Sequence, residues 1–155
     1  MSLKTSTFSI ITDTGEMLTS GLVTYPANYT KTERVEITSG TANKFATISA
    51  TVDGTGTTYD LTALAGNPGQ ATINISAVKY LKIYNSHATN SLVVGGAASN
   101  AFTGFWSGTI TIPPGGYAVF MDSDGAATSG SSKSLKVASS STSTTFELVI
   151  VGAAT

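Results

Sequence analysis

Asp13-Thr14-Gly15 places a carboxylate ahead of two small residues. Facing a second carboxylate, such an acid could share one proton with it and act as an acid–base pair in hydrolysis. Asp122-Ser123-Asp124-Gly125 sets two carboxylates two positions apart, a spacing that oxygen-ligated cations such as calcium use. His87, the only histidine, stands in Asn85-Ser86-His87-Ala88-Thr89-Asn90, and Phe102, Phe105 and Trp106 put three aromatic rings within five positions. Any site in this chain would have to be built at these places.

Each stretch also has a plainer reading. Asp13-Thr14-Gly15 is similar to the catalytic tripeptide of dimeric, retroviral-type aspartic proteases, and Ile150-Val151-Gly152 to their second, apolar-apolar-Gly element. The flanks disagree: Thr12 precedes the Asp where that family has an apolar residue, Glu16 follows the Gly where it has a small one, and Ala153-Ala154 replace the charges expected after Gly152. Asp-Thr-Gly-Glu between two alternating runs instead predicts a hairpin turn, with Asp capping it and Gly accepting positive φ. Asp122 to Gly125 lacks the Gly and Glu positions of an EF-hand loop and reads as a strand-end turn. A single histidine cannot build a multi-histidine metal site, and no Gly-x-Ser-x-Gly elbow accompanies the many serines, so His87 reads as an exposed loop residue. The glycines of Leu92 to Gly104 lack the lysine of a phosphate loop. Phe102, Phe105 and Trp106 are the candidate partner or subunit contact, because aromatic residues concentrate in interface cores; the plainer alternative is an aromatic cap on one end of the fold. No catalytic residue, cofactor site or metal site is assigned.

The elements that must position these residues are strands. Only 11% of the 155 residues are charged, while Ser and Thr occupy 46 positions (20 and 26) and Gly another 16. Thr fits a pleated, half-buried surface, and Gly and Ser fill turns, so almost no helix is expected. The formal net charge of −1 and the scattered basic residues exclude the basic stripe of a nucleic-acid binder. With no cysteine there is no disulfide framework and no thiolate chemistry. The first residues lack an apolar signal-peptide core and no run suits a membrane span, so a cytoplasmically made protein with neither nucleic-acid nor membrane partners is expected. So uncharged a surface is expected to be partly covered in the working state.

Along the chain, alternating runs recur between turn signals: TFSIIT, MLTSGLVTY ending at Pro26, KTERVEIT, KFATISATV, TTYDLTAL, VKYLKIYN, SLVVGG, SGTITI, GYAVFM, SLKV and TTFELVIV. VKYLKIYN is apolar on both parities and predicts a central strand. Residues 126–134 and 139–145 are polar, low-complexity segments expected to be loops. The expectation is one domain over 1–155, with room for a short N-terminal arm. Its fold class is an all-β antiparallel sandwich, jelly-roll-like, of about ten short strands; an up-and-down barrel is the second choice.

Residues 78–124 resemble a pattern found in small structural proteins of tailed bacteriophages. Asn85, Ala88, Thr89 and Asn90 match its first element, Gly95 to Asn100 with Phe102 and Gly104 its second, and Ile110 to Gly116 its third. Pro113 and Pro114 end a strand by removing backbone donors, and Pro114-Gly115 suits a type II turn. The resemblance covers about a third of the chain and implies a non-enzymatic virion component. That is a capsid decoration (cement) protein or a small tail- or fibre-associated module, often a homotrimer, partnered by the major capsid protein or tail proteins. The N-terminal third has no matching pattern and is the part expected to dock on the particle. The alternative is a receptor- or carbohydrate-binding module that stacks sugars on Phe102, Phe105 and Trp106.

Overall fold

The computed structural model describes the backbone of residues 5–20 and 23–38 and the whole of residues 42–66 and 72–154. Every regular element among them is a strand, and no helix occurs.

The first two strands form a ribbon of their own. β1 (Thr5–Ser20) pairs antiparallel with β2 (Val23–Thr38) from Thr5 opposite Thr38 to Ser20 opposite Val23. Asp13 lies opposite Thr30 and Gly15 opposite Asn28. This corrects the turn read at Asp13: the chain runs straight through Asp-Thr-Gly-Glu, and three expected short strands become two long ones. Asp and Gly are depleted in strands, but the whole scale of strand preference spans about 1 kcal/mol and context overrides it, and in a two-stranded ribbon both strands are edges. Edges also tolerate a proline, and Pro26 sits within β2 opposite Met17.

Eight strands build the body, so the sandwich has fewer than the about ten expected of it over the whole chain: β3 (Lys44–Val52), β4 (Thr57–Asp60), β5 (Ala77–Asn85), β6 (Leu92–Gly95), β7 (Thr109–Ile112), β8 (Tyr117–Ala127), β9 (Ser134–Ser139) and β10 (Thr144–Ala153). They form two antiparallel four-stranded sheets, ordered β3-β10-β5-β8 and β4-β9-β6-β7. The pairing is nested: β3 with β10, β4 with β9, β5 with β8 and β6 with β7. Two further pairings, β10 with β5 and β9 with β6, close the sheets.

Strand alternation sends one parity inward. Phe146, Leu148 and Ile150 of β10, Leu81 and Ile83 of β5, Leu135 and Val137 of β9, and Leu92 and Val94 of β6 share one buried core. Tyr59 of β4 meets Phe146 of β10 edge-on across it, ring centroids 6.2 Å apart. The expected central strand is central: β5 lies between β10 and β8 with both parities largely buried. Gly152, read from sequence as part of a protease-like element, lies at an irregularity in β10. A Cβ there would stand 2.5 Å from Ala77 O and from Ile75 Cγ2, so close backbone approach is what requires glycine. The polar segments at 126–134 and 139–145 are only partly loop. β8 runs to Ala127, while Ser139 and Thr144 are buried and joined through their hydroxyls at 2.6 Å.

Candidate functional site

The aromatic residues singled out from sequence come together with a fourth, Phe120 of β8. Phe102 is 2% exposed and belongs to the core, with Phe105 and Trp106 half-buried against it. The Trp106 and Phe120 centroids are 4.7 Å apart, and Phe105 and Phe120 stack at 5.5 Å with 16° between their planes. Phe102 closes the group edge-on to Phe105 and to Trp106. Trp106 also sets the geometry of the preceding strand end. Gly95 has φ 101°, and a Cβ on it would lie 2.8 Å from Trp106 Nε1 and 2.4 Å from Gly108 O. The indole N–H is buried and has no acceptor among the described residues, a cost of about 1–3 kcal/mol that the ring packing offsets.

Asn85, the last residue of β5, is fully buried. Its Nδ2 donates to Asn90 O at 2.9 Å and to Ile112 O and Pro113 O, each at 3.0 Å, while Oδ1 accepts from His87 N. Ile112 ends β7, so this one side chain ties the two sheets together and fixes the loop between β5 and β6. His87 is half-buried rather than exposed: its Nδ1 accepts from Thr89 N at 3.2 Å and Asn90 N at 3.0 Å, folding the loop around the ring. Asn90 reaches on to Ser143 O at 2.6 Å. The neighbouring Pro113–Gly116 segment has the expected type II features, with Gly116 N donating to Pro113 O at 2.9 Å and Gly115 at φ 67°.

Asp122 to Gly125 forms a bulge in β8, between Met121 opposite Tyr80 and Ala126 opposite Val78. The cation inside it belongs to the chain. Lys79, 9% exposed, donates from Nζ to Ser123 O and, at 2.8 Å, to Asp124 O. Asp122 Oδ1 accepts from Asp124 N and shapes the turn. The segment is a bulge inside β8 rather than the strand-end turn expected, and the positive centre its carbonyls surround is an ammonium. Sequence reasoning passed over Lys79 and named Asn85 only within the resemblance, because the acceptors at 123–124 and 112–113 are main-chain oxygens distant in sequence.

Among the described residues, the one ion pair joins Lys133 to Asp60 at 2.7 Å. The Lys133 hydrogen bond, followed by that from Thr62, holds the Asp60 carboxyl below the usual carboxylate range. Burial pushes the Tyr59 and Tyr80 hydroxyls up. No group of three His, Asp or Glu side chains among the described residues is placed to hold a metal. A shallow, open depression lies beside the Asp53–Thr57 turn, lined by Thr51, Thr55, Thr57 and Ser143. Asp53 is the only carboxylate there, and its Oδ1 is engaged by Thr55 N and Gly56 N.

In comparisons of the chain with known proteins, no family model, no curated protein and no solved structure matches.

Proposed function

We propose that the chain is a non-enzymatic structural component of a tailed-bacteriophage particle, a decoration protein that stabilises the assembled shell. One observation carries the structural half of this reading. Asn85, His87 and Lys79 each direct their polar atoms to main-chain groups within the chain and hold loops and sheets in place. The particle half rests on the resemblance of residues 78–124. Its first and third elements are joined through the Asn85 bonds to Asn90, Ile112 and Pro113, which gives those residues an architectural reason to occur together. We further propose that the body is a jelly roll. The nested pairing of first strand with last supports this, and viral capsid proteins and lectins both use that architecture.

The mechanism is mass action: a protein that binds only the assembled shell lowers its free energy relative to dissociated subunits. In the test, particles from phage lacking the gene are heated with and without added purified protein. Restoration of a raised disassembly temperature by the added protein is the expected result; no binding and no shift would remove the decoration reading. The carbohydrate-binding alternative has less support. Phe105, Trp106 and Phe120 pack their faces on one another, and Phe102 is inside the core.

A further inference from the structure

Val151 of β10 and Tyr80 of β5 lie on the outward side of their sheet, away from the core it shares with the other, yet Val151 is 0% exposed and Tyr80 8%. They form one row with Phe45 and Met121 across the β3-β10-β5-β8 sheet. Something outside the sheet must cover that row. In its cluster, where Val119, Met121 and Val149 are half-buried, Ala42 is the one described residue from outside the sheet. A single methyl group cannot enclose a tyrosine ring and a valine. Tyr80, and Thr47 in the next row, each have an interaction partner. The cover is confined to this end of the face: Lys82, one row on, and Glu147, two rows on, are exposed.

Connectivity identifies the cover. β2 ends at Thr38, four residues before Ala42, and so within about 14 Å of it. Ala42 leads into β3, one edge of the sheet, through Asn43, whose N donates to Gly152 O at 3.1 Å. β2 also comes within 8 Å, Cα to Cα, of β8, the opposite edge. The two edges are three strand spacings apart, about 14 Å. A strand tied to one edge and touching the other crosses the sheet, and the buried Ala42 puts the crossing on the outward side. The ribbon has the face that such a crossing needs. Pairing and alternation place Phe8, Ile10, Val35 and Ile37 on one face, while Thr7, Ser9, Arg34 and Glu36 fall on the other. A two-stranded ribbon is marginal in water by itself, so its apolar face calls for a surface to lie on.

We infer that the β1–β2 ribbon is an intramolecular strap, its apolar face laid across the outward side of the β3-β10-β5-β8 sheet over the Val151–Tyr80–Met121 row. Crossing a four-stranded sheet takes roughly 20 Å, or about six residues of each ribbon strand. Phe8, Ile10, Val35 and Ile37, near the tied end, are therefore the residues laid on the row. With the strap in place this end of the sheet is closed to other molecules. The ribbon's hydroxyl- and charge-bearing face becomes the surface that the chain presents there. The inference rests on the ribbon and this face and not on the particle reading.

The chain has no cysteine, so one introduced thiol reports on one position. In the test, the full-length Val151→Cys variant is treated with a maleimide in native buffer and its labelling rate is followed. Adding Phe8→Asp, which sets a charge on the apolar face of the strap, should speed labelling about tenfold or more. Adding Ser9→Asp, one position away on the other face, should change the rate by less than about threefold. Val137→Cys, buried on the opposite sheet's side of the core, distinguishes a lifted strap from general unfolding. Phe8→Asp should leave its rate within about threefold of the original. No acceleration by Phe8→Asp, equal acceleration by Ser9→Asp, or equal acceleration of the Val137→Cys thiol would each overturn the inference; the last would make the ribbon part of the core rather than a strap over it.

Discussion

Val93 and Val149 occupy corresponding places, each half-buried on an inner strand and facing outward from its own sheet. Around Val93 the register places Thr111 and Ala138, with Lys136 and Thr58 beyond, a surface of hydroxyls, a methyl and one ammonium. Around Val149 it places Val119 beyond Lys82, with Val151, Tyr80 and Phe45 in the next row. The two sheets share one core and one strand count, so the contrast does not come from folding the sandwich. A sheet with one wet face needs no outward aromatic residues. The difference is one of covering: Tyr80 and Val151 are buried on the outward side of one sheet, while Val93 on the other stands among the exposed hydroxyls of Thr111 and Thr58.

The most disruptive way to erase the contrast is to undo the tie on which both sheets depend. Asn85→Leu leaves Ile112 O without its side-chain donor in a buried setting and frees the loop that Asn85 and His87 hold. Urea unfolding at dilute concentration should show a loss of roughly 3–5 kcal/mol. Next comes the aromatic group at the sandwich edge. Trp106→Ala should cost roughly 2–4 kcal/mol. Trp106→Phe, which keeps most of the ring contact and removes a buried N–H without an acceptor, should stay within about 1 kcal/mol of the parent or exceed it. The same unfolding experiment reads both variants, and equal losses would count against the orphan N–H.

Val149→Lys and Val93→Lys probe the contrast itself. Each should change the stability of the dilute chain by about 1 kcal/mol or less. Val149→Lys, beside the buried Tyr80 and Val151, should cost more in urea unfolding than Val93→Lys; an equal cost would mean that the two faces do not differ in covering. The smallest effect concerns pH. The folded Asp60 carboxyl titrates below its ordinary range because Lys133 and Thr62 favour its charged form. Its contribution is therefore present above the unfolded carboxylate range and is lost as pH falls through the lowered folded value. Because Asp60 is 37% exposed the pair is screened, and its worth is about 0.3–1 kcal/mol. Asp60→Asn should remove that acid-side loss, seen as a smaller difference in urea midpoint between about pH 7 and about pH 3.

Much of the fold was legible because it follows from local pattern. Thr-rich alternation gave the strands, the apolar run VKYLKIYN gave a central strand, and Pro114-Gly115 gave its turn. The outward apolar face was visible in part, since Val149 and Val151 share a parity with Glu147. Parity alone does not say which set faces the core, and only the pairing with β3 and β5 settles it. Asp13-Thr14-Gly15 misled because turn propensity is local, whereas β1 is defined by a register with residues up to 33 positions away (Thr5 with Thr38). The ties that Lys79 and Asn85 make were illegible for a similar reason: their bonds go to carbonyls at 123–124 and 112–113, brought near by the nested pairing. The aromatic cluster was seen as Phe102, Phe105 and Trp106, but Phe120, which stacks on two of the three, arrives from another strand.

The central claim is that this chain does its work as a part of a particle. Quantitative mass spectrometry of gradient-purified phage particles, with copy number set against the major capsid protein, tests it most directly. One copy per capsid subunit, or a simple fraction of that, is the predicted result. Absence of the chain from intact particles would contradict the account.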